Sequence, residues 1–486
     1  MTYPVSQPPV PGKDQRYPAG PQEPARGRGP GQAPSFDSGN GSGTGTGTGS
    51  GAGSGSGAAR RRLKDFGRPP RIVALDIARG LAVIGMIAAH TLALPGRFVW
   101  TEPTTWLDIV DGRSSILFGL LAGISVALMT GRNRVPSGPE LGPMRLKLLA
   151  RGLLIFGIGF VLEMFGTPVA VILCFYGFIY MCAVLVIGLR VRTLLIWAAS
   201  LAVAGPVAIA ALTAMGDGDG LTFLLGGTYS MVVWAALMFG GLALGRLDVT
   251  RRKVAAIGLA VGVGMAGVGY TVGTVWGDAG SYDYSSGDDF SSSSSDDDWT
   301  GETVPGEDVD LSGKLCDEYS EGYVDCYPED GDFASLDDGD SSSYYGDEDS
   351  GWFAYAPMGD GEGGLSGMFL SSSAHSGGSM EIIGSGGFAL AVVCLLLLTG
   401  YALRYVLLPI AALGSMPLSA YSAHVVLLWV LSVLLGWESE AGQFWVVTGT
   451  VMVGCTVWAL LAGRGPLERL SVRASRRMVD GPRTKR

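Results

Sequence analysis

The side chains best able to do chemistry in this chain are three histidines, a few acids and a few arginines set in or beside apolar runs. Between Ile72 and Gly131 two such runs, each long enough to span a bilayer, are joined by a short polar loop. The first run carries Asp76 and Arg79 at its start and His90 near its end. Charges inside a spanning helix are costly, which makes each of them a functional candidate. His90 lies about 27 Å along a helix from Ile72, near the far end of the span. The next run opens with Asp108, Asp111 and Arg113. On one helix Asp108 and Asp111 would share a side, so either could orient an imidazole or hold it charged. A histidine with a carboxylate beside it is the minimum kit for general-base catalysis, which contributes roughly 10² to 10⁴-fold. The plainer alternative is a histidine that donates a hydrogen bond between helices.

At the opposite end of the first run, Asp76 and Arg79 are three residues apart, and Arg151 enters the third apolar run at similar depth. One reading is an ion pair that fixes the helices. The other is a mouth for an anionic, phosphate-bearing molecule, since guanidinium binds phosphate bidentately and Arg145, Lys147, Arg251 and Arg252 add steering charge. No phosphate loop of the GxxxxGK[ST] kind is present, which disfavours an ATPase. Glu163, His375 beside Glu381, and the set Tyr421, Ser422 and His424 suggest, with His90, a polar cavity at the far end. His375 is the second choice for the base there, and His424 reads better as a structural hydrogen-bonder.

These residues need a membrane bundle to position them. The chain has 486 residues, is 48% hydrophobic and only 16% charged, and has a mean hydropathy of +0.33, which is too apolar for a soluble protein of this size. The net charge of −10 conceals a split. Of 44 acidic residues, 26 lie between Gly277 and Met380, beside a single Lys314, so the rest of the chain is basic. Ten apolar segments follow in order, at 72–94, 107–130, 146–166, 168–189, 193–214, 221–245, 254–276, 381–402, 415–436 and 443–463. Alternate connections hold the Lys and Arg clusters, while the others hold only Arg97 and Lys314, so the positive-inside rule puts both termini in the cytosol.

The expected fold is therefore an all-α, multi-pass helix bundle. Residues 1–70 form a Gly/Ser/Pro-rich disordered tail without a signal peptide, 71–276 a seven-helix membrane domain, 277–380 an acidic outer loop, 381–470 a three-helix membrane domain, and 471–486 a basic cytosolic tail. Within the loop, Cys316 and Cys326 are ten apart on the oxidising side and are expected to form a disulfide. Pairs such as Gly119 with Gly123, Gly241 with Gly245 and Gly258 with Gly262 would let helices approach closely. The stretch VLLPIAALGSM, with Pro409, Gly414 and Pro417, interrupts any continuous helix there.

The order LDIARG at the first helix, His90 fourteen positions after Asp76, then Trp-Leu-Asp leading into a small-residue helix resembles the heparan-α-glucosaminide N-acetyltransferase-like catalytic domain and its bacterial YeiB-like relatives. That likeness covers about residues 71–247. HSGGSMEIIGSGGFAL, GSMPLSAYSAH and GRGPLERL extend a second likeness over the C-terminal third. The resemblance implies a plasma-membrane acyltransferase with acetyl-CoA as co-substrate and no metal, which acetylates an amine or hydroxyl of a sugar, glycan or lipid on the extracytoplasmic side. His90, His375, Asp108 and Asp111 are then the candidate catalytic residues, and Asp76, Arg79, Arg113 and Arg151 the candidate donor contacts. Animal heparan acetyltransferases have Asn at the position of His90, so the base role of His90 is read from its chemistry alone. Membrane lipid is an expected partner, nucleic acid is not, and a homodimer is left open. The rival function is a transporter, whose substrate path would also carry intramembrane Asp, Arg and His; a scaffold working through its acidic segment is a third.

Overall fold

The computed structural model describes residues 71–94, 98, 101–166, 169, 171–214, 231–277, 314–320, 323–328, 369–437 and 439–480. The expected tail 1–70, most of the acidic segment 277–380 and the last residues from 481 lie outside the described residues. Among the described residues the protein is helical, apart from one antiparallel hairpin, β1 (Lys314–Ser320) with β2 (Tyr323–Pro328), whose register sets Cys316 opposite Cys326.

The helices are α1 (Val73–Thr91), α2 (Arg113–Met129), α3 (Leu141–Glu163), α4 (Leu173–Val186), α5 (Val191–Ala214), α6 (Met231–Arg246), α7 (Arg252–Val272), α8 (Ser379–Thr399), α9 (Leu408–Gly414), α10 (Pro417–Trp429), α11 (Glu440–Leu461) and α12 (Pro466–Asp480). Each of the ten apolar segments contains one of them. Among the described residues, seven stretches are long and apolar enough to cross a membrane: Val73–Thr91, Pro103–Met129, Val191–Ala208, Arg252–Trp276, Ser379–Thr399, Pro417–Leu434 and Ala441–Leu461. Of the others, α4 and α6 are shorter, and α3 carries Arg145, Lys147, Arg151 and Glu163. Ile257, Val263 and Val268 on α7 and Trp445 and Val453 on α11 stand exposed, which suits a surface covered by hydrocarbon.

The core sits around α1 and α2. Leu75, Ile77, Ala78, Val83 and Ile87 of α1 are buried among α2, α8, α9, α10 and α11, and α2 is buried against α6. Lipid gives no hydrophobic drive for helix association, so close packing of small residues supplies it. A Cβ on Gly123 would run into the Met238 carbonyl, and one on Gly241 into the Leu120 carbonyl, so α2 and α6 cross backbone to backbone as the small-residue spacing predicts. Short helix α9 lies in the same way on α1, with Gly80 against Ile410 and Gly414 against the Asp76 carbonyl.

Two local outcomes differ from the sequence reading, at 107–130 and from 471, and the interruption expected before Pro417 is found. The segment 107–130 is not one helix: a 3-10 helix runs over Pro103–Val110, Asp111 is extended, Gly112 takes φ +58, and α2 starts at Arg113. Pro103 starts that 3-10 helix, and Gly112 supplies the left-handed turn that a Cβ would strain. The stretch before Pro417 is the separate helix α9, and Pro417 begins α10 afresh at its first turn. Where a tail was expected from 471, α12 continues to Asp480 and packs on α3.

The guanidinium of Arg246, buried at the end of α6, ties the α2–α3 connection to the end of α4. It donates to the carbonyls of Thr130 (2.9 Å), Arg132 (3.3 Å), Arg134 (2.6 Å) and Ile187 (2.9 Å), and to the Thr130 hydroxyl (3.1 Å).

Candidate functional site

At the Asp76 end of α1, the Asp76 carboxylate lies between two guanidiniums. It accepts from Arg71, and from Arg79 one helical turn on at 3.1 Å. Arg79 also donates to the Ser125 hydroxyl of α2 at 2.8 Å, which aims it at a cavity of about 270 Å³. Arg151, Tyr176, Tyr180 and Tyr421 line the same space. Asp76 is thus the positioning acid for Arg79.

Arg151 differs from Arg79 because it meets no carboxylate among the described residues. Its guanidinium lies 5.7 Å from the centre of the Tyr180 ring, its terminal nitrogen lies 3.3 Å from the Met129 sulfur, and its buried Nε has no hydrogen-bond partner. A buried cationic donor left unsatisfied is costly, so the position is suited to an anionic or strongly polar ligand. Arg151 and Met129 also line a second cavity, of about 250 Å³, between α3 and α12, where Lys147, Ser475 and Arg476 add donors and positive charge. The two cavities therefore share a wall. Glu468 of α12 lines the larger one, but its carboxylate is engaged: it accepts from the backbone N–H groups of Leu418 (2.8 Å) and Ser419 (3.1 Å) and from the Ser419 hydroxyl (2.5 Å), capping α10.

At the other end of α1, His90 and His375 line one small chamber of about 30 Å³, together with Gly112, Ser114, Ser115 and Tyr421. His375 Nε2 lies 3.6 Å from Asp111 Oδ1, both half-buried. That is longer than a hydrogen bond, as contacts in active sites often are before substrate binds. His90 instead stacks on His424, with ring centres 6.2 Å apart and planes 9° from parallel. The acid predicted to serve His90 or a neighbour thus serves His375.

A turn of unusual shape presents His375. His375 has φ +63 and Gly377 φ +64, and the Glu381 carboxylate holds the turn from below. Glu381 Oε1 accepts the His375 N–H at 2.8 Å, and Oε2 accepts the Gly377 N–H at 2.7 Å and the Ser376 hydroxyl at 3.2 Å. Left-handed backbone costs a residue with a Cβ about 1–2 kcal/mol, and these charge-assisted bonds offset it.

Asp108 does not share a helix face with Asp111, because the 3-10 helix ends at Val110 and Asp111 is extended. Its carboxylate lies 3.8 Å from Arg113, and its carbonyl accepts from Arg113 at 2.8 Å. Arg113 also donates to the Tyr270 hydroxyl at 2.8 Å, which is 2.9 Å from Ser385 Oγ. This brace between α2, α7 and α8 sits at the His90 end, the far end of α2 from Ser125 and Arg79. Glu163 and Ser422 line none of the three cavities.

Tyr421 lines both the large cavity and the chamber. It is 1% exposed, its hydroxyl accepts the Ile172 N–H at 3.1 Å, and its ring meets His424 edge-on at 4.7 Å. Tyr421 was among the polar-cavity residues expected from sequence, whereas Tyr176, Tyr180 and the α12 donors Ser475 and Arg476 were not, and the GRGPLERL motif at the start of α12 was the signal for the latter.

Residues 71–261 match the family described as heparan-alpha-glucosaminide N-acetyltransferase, catalytic. That stretch holds Arg79, His90, Asp111 and Arg151, while His375, Tyr421 and Arg476 lie beyond it. No curated protein and no solved structure matches the chain.

Proposed function

Starting from a membrane protein whose residues 71–261 place it in a heparan-α-glucosaminide N-acetyltransferase-like family, we propose that it transfers an acetyl or similar short acyl group from acyl-CoA to an amine or hydroxyl of a sugar, glycan or lipid. In this reading the chain crosses the plasma membrane ten times with both termini cytosolic, and the two larger cavities face the cytosol. The observation that carries it is Arg151, a cation with no acid partner among the described residues, in the wall shared by two cavities that together run from Lys147 and Arg476 to Tyr421.

The residues present fit a nucleotide thioester. Lys147, Arg151 and Arg476 supply the charge that phosphates require, and Tyr176 and Tyr180 flank the path inward. When bound, the donor supplies an activated acyl carbon. His375 and Asp111 then manage the proton. With Nε2–H directed at Asp111, Nδ1 is the basic nitrogen of His375. It takes the proton of the acceptor amine or hydroxyl as that atom bonds to the acyl carbon and the carbon–sulfur bond breaks, and the imidazolium returns the proton to the departing thiolate. His90 closes the opposite wall of the chamber and excludes water.

The test is transfer of labelled acetyl from acetyl-CoA in membranes that contain the full-length protein, with acetyl-CoA protection of the purified protein against heat as the binding arm. Arg151→Gln is expected to cut donor affinity at least about tenfold, the scale of one lost charge-assisted contact. If acetyl-CoA neither raises the melting temperature nor labels any acceptor, the transporter reading takes its place.

A further inference from the structure

The two cavities at Tyr421 differ about ninefold in size, roughly 270 Å³ against 30 Å³, and one ring stands between them. We propose that Tyr421 is the partition that sets acyl-chain length: an acetyl group passes into the His90–His375 chamber and longer acyl chains are refused. The inference deepens the acyl-transfer reading and rests on it.

The geometry holds the ring in place, so what passes beside it is set by its bulk. Tyr421 is buried, its hydroxyl is held by the Ile172 N–H at 3.1 Å, and its ring packs at right angles to His424, which in turn stacks on His90. The consecutive residues Ile172 and Leu173 complete the division, since Ile172 lines the chamber and Leu173 the large cavity. Among the residues lining the two cavities, Tyr421 is the one they share, so the proposed route from Arg151 toward His375 runs past its ring. What it can become there is bounded by volume. A chamber of about 30 Å³ has room for about two water molecules, which is the bulk of an acetyl group and less than that of a butyryl chain. The backbone around the partition is also fixed, because Glu468 caps the first turn of α10 one turn before Tyr421.

The experiment measures heat protection of the purified full-length protein by CoA, acetyl-CoA and butyryl-CoA, and converts the titrations to affinities. Wild type is expected to bind acetyl-CoA at least about tenfold more tightly than butyryl-CoA, a modest figure for two methylenes in a filled pocket. Tyr421→Ala, which joins the two spaces, is expected to bring that ratio to about one or below. Tyr421→Leu retains apolar bulk for folding and is expected to give an intermediate ratio, so the question stays answerable if the alanine variant does not fold. Equal affinity of wild type for both thioesters, or a ratio unchanged by either substitution, overturns the partition while leaving acyl transfer standing. If CoA and its thioesters give no protection at all, the acyl-transfer reading falls and takes the partition with it.

Discussion

Replacing Glu381 by Gln tests whether His375 is the working imidazole without touching that imidazole. Both Glu381 oxygens receive N–H donors, from His375 at 2.8 Å and Gly377 at 2.7 Å, and a hydroxyl adds a third bond. An amide offers one oxygen, so its NH₂ must confront one of the two backbone N–H groups. One charge-assisted bond of about 1.5–3 kcal/mol is lost and a buried donor is orphaned for about 1–3 kcal/mol more. His375 at φ +63 holds about 1–2 kcal/mol of backbone strain. The loss exceeds what is needed to let the turn relax, and His375 moves off Asp111. The assay is acetyl transfer in membranes beside heat protection by acetyl-CoA. Transfer is expected to drop by about 10² to 10⁴-fold, the contribution of a general base, while donor protection stays at the wild-type level, because Arg79 and Arg151 sit at the other end of the bundle. Transfer within about twofold of wild type would refute the reasoning. An equal loss of donor protection would show a folding defect and refute it as well.

His375→Gln should abolish the acidic limb of the pH–rate profile, whereas His90→Ala should lower the rate and keep that limb; the reverse pattern would make His90 the base. Arg246→Met leaves the Thr130, Arg134 and Ile187 carbonyls without their donor, which at about 1–3 kcal/mol for each orphaned group predicts a loss of at least about 3 kcal/mol, read as a lower melting temperature in detergent; unchanged melting would contradict the tie described for it. Cys316 and Cys326 are register partners across β1 and β2, and the disulfide expected from sequence would join them. Alkylation of the protein isolated from membranes, followed by mass spectrometry, should find that pair blocked until reductant is added.

Much of this architecture can be read from residue order, because lipid imposes a simple grammar. Each of the ten apolar segments holds a helix, and the glycine pairs at Gly123 and Gly241 mark a real crossing. The stranded charges Asp76, Arg79 and Arg151 do gather at one end. The partner of Asp111 was the harder matter. A three-residue spacing puts Asp108 and Asp111 on one face only if the helix runs through both, and it ends at Val110 with Asp111 extended. Asp108 turns to Arg113 and Asp111 to His375, far away in sequence, and local periodicity carries no information about such a pairing. Tyr421 was expected in a polar cavity, but its place between two cavities was hidden for a related reason. Its importance comes from two cavities meeting at one ring, which depends on how α10 sits against the start of α4 and not on any pattern within α10.

The division of the site between the two ends of the chain bears on how the protein is made. Asp111 and Arg151 leave the ribosome early, whereas His375, Tyr421 and the Arg476 donor arrive only with the last third of the polypeptide. On the proposed chemistry, a chain halted after residue 261 has a carboxylate without its imidazole and a donor pocket without its α12 wall. Competence then switches on in the final moments of synthesis, when the late helices insert against α1, and truncated products should be catalytically silent however well their first helices are embedded.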